Sequence, residues 1–295
     1  MKTTTSRPFQ MTERDLELLA AIDLHPLTAE QLLRFSQTFQ QPFTQLRLLQ
    51  RRLKRLCDAG CLRSWPYSTT TGASPHYFKL SRAGFRRLHD NDDLHPTRRY
   101  FEAIAAGHHH HTRCLGDFLV HILGSLARHG AKLQNFTREN EMRIDADGLT
   151  LFPDCTFQLS LPSGQVFRYI VELDNGSERI RSAMNIESIE RKIRGYDAYQ
   201  SKFDALDPSR PVVLFITTRS SERTRHILNA ARRIMSNPNR TVFLATELRL
   251  ILAATDSLRE VCLTDNRGRR RGLLPSIIRP CEPAEKSSSL ELALC

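Results

Sequence analysis

The chain has 295 residues, with 43 Lys and Arg against 32 Asp and Glu, a formal charge of +11 and a pI near 9.7. That length supports two ordinary domains, each with its own core, and the charge favours a polyanionic partner. The seven cysteines form no CxxC pair, which argues against a disulfide framework or zinc site, and no apolar run approaches the ~18 residues of a membrane span. The opening MKTTTSRPFQMTERD has no apolar signal core, so a cytoplasmic protein with no membrane partner is expected.

The basic excess is uneven: residues 1–100 hold 16 Lys and Arg against 9 Asp and Glu. Thr12 is an N-cap signal for a first helix over 11–23, with Leu16, Leu19 and Ala20 at helical spacing. Thr28 caps a second helix, TAEQLLRFS. A third, TQLRLLQRRLKRLCDAG, ends at Gly60 and carries a stripe of Leu46, Leu49, Leu53 and Leu56, with Arg47, Arg51, Lys54 and Arg55 on other faces. Two strand-like pieces, CLRSWPY and HYFKLS, flank the turn-rich STTTGASP. Three helices and then a hairpin is the order of a winged helix-turn-helix, expected over residues 1–90. In that module the third helix enters the major groove of double-stranded DNA. Arg47, Gln50, Arg51 and Lys54 are the candidates for groove or phosphate contacts, with Lys79, Arg82, Arg86 and Arg87 on the wing side.

Residues 91–107 read as a polar linker. A long helix follows, its buried face formed by Leu115, Phe118, Leu119, Ile122, Leu123 and Leu126. Four histidines, His108 to His111, open it. Successive helical residues point about 100° apart, so the four cannot converge on one ion. An exposed helix start is expected, with His111 the one candidate to face a cleft. Strands are expected from Phe136 through LTLFPDCTFQLSL and QVFRYIVELDN, then a helix over about 182–203, the apolar strand PVVLFITT, a helix, a strand and a short helix. Residues 264–295 read as a basic loop bearing Arg267, Arg269, Arg270 and Arg271, followed by a tail.

Within this series Asp154 precedes one apolar run, and Glu172 and Asp174 close the next at alternate positions, which puts both on one face of a strand. If the two runs pair as a hairpin, Asp154 meets Glu172. Clustered carboxylate oxygens suit a hard divalent cation, Mg²⁺ or Mn²⁺, and a cation there would polarise a phosphodiester. Pro153-Asp154, a hairpin, Glu172-x-Asp174 and a downstream Lys192 resemble the PD-(D/E)xK nuclease superfamily. The helix–three strands–helix–strand order resembles its αβββαβ core, expected over residues 108–263. Position 174 departs from the motif, with Asp where Lys is usual; Lys192 in IERKIRGY is the replacement that the resemblance suggests. It further implies Asp154, Glu172 and Asp174 as metal ligands and Lys192 as the group that orients water or neutralises phosphate. Glu141, or its neighbour Glu139, is an additional acid, and Tyr196 shares the face of Lys192.

The whole chain is similar to the replication-relaxation family through its LFPD, VELDNG and KIRGY segments, with Asn175 a small departure where a basic residue is frequent. The family implies a DNA-binding role in plasmid or mobile-element replication or mobilisation, including nicking. The expected class is therefore α+β/α/β: a winged helix followed by a restriction-endonuclease-like domain, with a homodimer left open. The alternatives are a transcription or replication regulator with a catalytically silent second domain, and an adaptor for an acidic protein.

Overall fold

The computed structural model describes residues 9–68, 74–89, 96–176, 180, 188–204 and 207–274. Part of the expected wing loop, the start of the expected 182–203 helix and the tail from 275 lie outside them. The chain divides into two compact units, Met1–Gly116 and Asp117–Ala293.

In the first unit, α1 (Glu13–Leu24) and α2 (Ala29–Phe35) start where the cap signals place them. Thr12 and Asp15 form one reciprocal capping box and Thr28 and Gln31 another. Leu18, Leu19 and Ile22 carry the buried face of α1, while Leu16, expected on it, is 38% exposed. The strand β1 (Leu27–Thr28) lies between the two helices in sequence. α3 (Leu46–Asp58) buries Leu49, Leu53 and Leu56, and the chain leaves it through Gly60 at φ +71°, a conformation that costs a glycine little. β2 (Leu62–Pro66) and β3 (His76–Leu80) pair antiparallel, and β1 joins the other edge of β3 in a three-stranded sheet. α4 (Arg82–His89) follows.

The described part of the expected linker is not a free spacer. Tyr77 Oη accepts from Ile104 N at 2.9 Å, and Tyr100 Oη donates to the buried Asp23. Phe101 is buried and packs edge-on against Phe85. The aromatic residues of this stretch outweigh its polar composition.

The second unit opens within α5 (His109–Arg128), whose six expected core positions are all buried. The strands β4 (Lys132–Arg138), β5 (Ile144–Ala146), β6 (Leu149–Leu151), β7 (Cys155–Ser160) and β8 (Val166–Asp174) follow. Then come α6 (Ile189–Gln200), β9 (Val212–Thr217), α7 (Ser221–Ile234), β10 (Phe243–Glu247), α8 (Leu248–Ala253), β11 (Leu263–Asp265) and β12 (Arg270–Arg271). Seven strands form one sheet in the order β12-β11-β10-β9-β8-β7-β4. β4-β7-β8 run antiparallel, β8-β9-β10 parallel, and β10-β11-β12 antiparallel again.

Two expectations change here. The run LTLFPDCTF is not one strand: β6 pairs with β5 in a separate hairpin, and β7 belongs to the large sheet. The basic stretch after 263 is not wholly loop, since β12 places Arg270 and Arg271 on the sheet edge. Helices α6 and α7 cover one face over Ile170, Val213, Phe215 and Ala245, while Phe118 of α5 meets Phe157 on the opposite one. β9 is almost wholly apolar because both its faces are covered.

A buried pair ties α3 to α1. Arg52 donates from Nε and Nη2 to Asp15, whose side chain is 1% exposed. Burial alone would push this carboxyl up, but hydrogen bonds from Arg52 and Thr12 outweigh it and hold it below its ordinary value. Arg52→Met should therefore lower stability by about 3 kcal/mol at neutral pH, the cost of stranding a buried charge. Because the native carboxyl is the stronger acid, the gap between the variants should close as pH falls below the ordinary value of about 4, measured by urea unfolding from pH 7 to pH 3.

Candidate functional site

The register that joins Cys155 to Val171 and Thr156 to Ile170 sets Asp154 opposite Glu172. Asp154 is fixed twice: its N–H donates to Val171 O at 3.1 Å, and its Oδ2 accepts from Leu173 N at 2.6 Å. Glu172 follows Ile170 on the face covered by α6, and is 3% exposed. Lys192 Nζ donates to its Oε2 at 2.8 Å, and Tyr196 Oη donates to its Oε1. Lys192 and Tyr196 are one helical turn apart, so a single stripe of α6 supplies both donors.

The same helix also packs closely against the β5–β6 hairpin, which it can do because position 195 is glycine. A Cβ there would lie 2.6 Å from Leu151 Cδ1 and 3.1 Å from its Cγ, on the β5–β6 hairpin. Ser188 starts α6, accepting from Arg191 N. The described helix begins at Ile189, and residues 182–187 of the expected one lie outside the described residues.

Burial pushes the Glu172 carboxyl up to about 7, opposed by the Lys192 ammonium and reinforced by the Asp154 charge. The neighbouring Cys155 thiol, fully buried, is pushed well above its usual range and is unreactive as a nucleophile.

Asp174 faces the same side as Glu172 but has a different partner. Arg223 of α7 grips it with Nε to Oδ2 at 2.8 Å and Nη2 to Oδ1 at 2.9 Å, and Thr217 Oγ1 and Gly176 N add further bonds. Burial would raise this carboxyl, but the Arg223 contacts prevail and keep it low. The expected three-carboxylate cluster is therefore not assembled: among the described residues no three His, Cys, Asp or Glu side chains group as a metal site. The facing pair Asp154 and Glu172 still matches the one or two carboxylates with which Mg²⁺ is commonly held alongside phosphates.

Other sequence candidates lie elsewhere. Glu141 pairs with Arg138 in the turn after β4. Within the run His108 to His111, His109 is the buried one: its Nδ1 accepts from Ser68 N and its Nε2 donates to Ile104 O, while His111 is half-buried. Arg47, Gln50, Arg51 and Lys54 are all exposed on α3, Lys54 beside Asp58 at 3.0 Å. Lys79 turns to the carbonyl of Glu102 at 2.7 Å, and Arg82 lies over the Phe101 ring. The residue missed from sequence is Arg223; nothing in SERTR separates it from the other arginines.

The chain is thus a mixed α+β protein whose second unit centres on a buried carboxylate bridged to α6. A family model described as replication-relaxation matches residues 17–208, and the chain belongs to that family. This membership suggests a role in plasmid or mobile-element replication or relaxation. No curated protein and no solved structure matches the chain. Among the described residues, no helix is long and apolar enough to cross a membrane.

Two outcomes are expected. Glu172 binds its proton more tightly folded than unfolded, so it lowers stability as pH rises from about 4.5 through about 7. Glu172→Gln should flatten that decline and gain on the order of 3 kcal/mol on the wild type between pH 4.5 and pH 8 in urea titrations. Gly195→Ala should cost about 1–3 kcal/mol despite alanine's better helix propensity. Leu151→Ala in the same chain should make the two losses less than additive.

Proposed function

We propose that the chain is a DNA-binding replication or mobilisation protein whose second unit is a PD-(D/E)xK-like nuclease domain. The observation that carries this reading is the meeting of Asp154, Glu172 and Lys192 at the β7–β8–α6 junction, from three elements in the order that the superfamily uses. Asp154 and Glu172 would hold Mg²⁺ or Mn²⁺, which when bound polarises a phosphodiester and acidifies water. Lys192 then sits beside the scissile phosphate to orient water and offset developing negative charge. Tyr196 fixes the rotamer of Glu172. Asp174, locked by Arg223, anchors the end of β8 to α7 and so positions Glu172 rather than binding the cation.

The first unit has the helix order and three-stranded sheet of a winged helix, and we read it as the duplex-binding module. Arg47, Gln50, Arg51 and Lys54 form one exposed face on α3, the element that such modules insert in the major groove. Lys79 is a weaker candidate, because carbonyls already hold its ammonium.

One observation favours a second reading, a regulator with a silent nuclease-like domain: both oxygens of Glu172 are already engaged by Lys192 and Tyr196. Incubation of supercoiled plasmid with the protein and Mg²⁺ or Mn²⁺ separates the two. Nicked circles from the wild type, absent with Asp154→Asn, Glu172→Gln and Lys192→Met, are the expected result. Intact plasmid together with normal DNA binding would leave the regulator. The triple change Arg47→Ala, Arg51→Ala, Lys54→Ala should weaken duplex binding and make its salt dependence shallower by about one unit for each phosphate no longer neutralised.

A further inference from the structure

A second polar feature of the C-terminal unit plays no part in the carboxylate site. Helix α7, strand β10 and the β11–β12 hairpin enclose a cleft of about 250 Å³. Three arginines line it, Arg225, Arg232 and Arg270, together with two acids, Glu247 and Asp265.

The charges do not cancel within the cleft, because each acid has its own arginine. Glu247 accepts from Arg249 Nε at 2.7 Å. Asp265, fully buried, accepts from Arg271 Nε at 2.6 Å and from the backbone N–H groups of Arg267 and Arg269. The lining arginines are held mostly by neutral groups. Arg232 donates Nε to Asn266 O at 3.2 Å, and Arg270 donates Nε and Nη2 to Val261 O. A carbonyl fixes where a guanidinium lies without neutralising its charge. Among the described residues only Arg225 of the three forms an ion pair, with Glu222 at 3.5 Å, and both side chains are about two-thirds exposed, where such a pair is weak. Thr224 adds a hydroxyl to the lining that is buried and makes no hydrogen bond among the described residues. Arg267 and Arg269 stand exposed on the adjoining turn.

We infer that this cleft is a phosphate-ester site, separate from the carboxylate cluster, with Arg232 and Arg270 as its oriented donors. Guanidinium forks match phosphate oxygens two at a time, and a neutral hydroxyl such as that of Thr224 can donate to a third oxygen. On the DNA-binding reading above, on which this assignment of the ester rests, the occupant is a backbone phosphodiester. The cleft would then hold the strand by its backbone rather than by its bases. A free nucleotide presents the same chemistry.

The test uses the full chain with Arg225, Arg232 and Arg270 all changed to Ala, and a second variant with all three changed to Lys. Binding of a fluorescent 30-base-pair duplex is followed by anisotropy across a salt series, beside calorimetry with adenosine monophosphate. The Ala variant should lose about two units from the slope of log affinity against log salt, while the Lys variant, which keeps the charge, retains it. An unchanged slope in the Ala variant, with the wild type binding DNA normally, overturns the inference and leaves the DNA-binding reading standing. Should the wild type bind no duplex, that reading falls. Adenosine monophosphate bound by the wild type and not by the Ala variant would then support the cleft as a site for free phosphate esters. No binding of either probe would overturn it.

Discussion

A carboxylate closed between a sheet and a helix must find its compensation within a few ångströms, and Glu172 finds it in Lys192 and Tyr196. This contact organises the second unit. One stripe of α6 faces β8 through Lys192 and Tyr196, and because Leu151 of the β5–β6 hairpin presses on the same helix, position 195 has room only for a residue without a side chain. The site is therefore specified as much by what is missing at one helical position as by the charged groups. The same demand explains why the carboxyl is a poor acid: water is excluded, and one ammonium does not fully offset that loss.

The neighbouring helices repeat the device with different partners. Asp174 is matched by Arg223, Asp197 by Arg240 and Glu190 by Arg233, each acid largely buried and each cation reaching in from more exposed ground. Arginine suits this role because its stem crosses apolar surface while the planar head meets both carboxylate oxygens. Several of the chain's arginines are consequently structural. Such pairs cancel in the net charge, and the exposed face of α3 and the turn after β11 are where the remaining surplus is visible.

How legible this was in the sequence depended on the range of the interaction. The starts of α1 and α2 could be read because Thr12 and Thr28 carry their partners, Asp15 and Gln31, three residues away. The apposition of Asp154 and Glu172 could be read because a hairpin is a local object, and β9 because an unbroken apolar run has few other uses. The break between β6 and β7 could not, since a change of sheet leaves no mark on the alternation of LTLFPDCTF. Nor could the pairing of Asp174 with Arg223, 49 residues on, or of Asp15 with Arg52, because the chain offers 43 cations and pattern alone does not choose among them. The stretch around Tyr100 and Phe101 was misjudged through its charge. Two aromatic rings supply more burial than their polar neighbours oppose.

The two ends of the seven-stranded sheet carry a consequence for how copies of this chain can meet. One border is β12, two residues long and both arginine; the other is β4, whose register with β7 shifts between Gln134 and Thr137, with Asn135 at φ +48°. A short cationic rim repels its own likeness, and a kinked rim offers no straight row of amides to a newcomer. Growth of this sheet by adding strand to strand is thereby disfavoured at both borders, which leaves its side-chain-bearing faces and helices as the surfaces that another copy would meet.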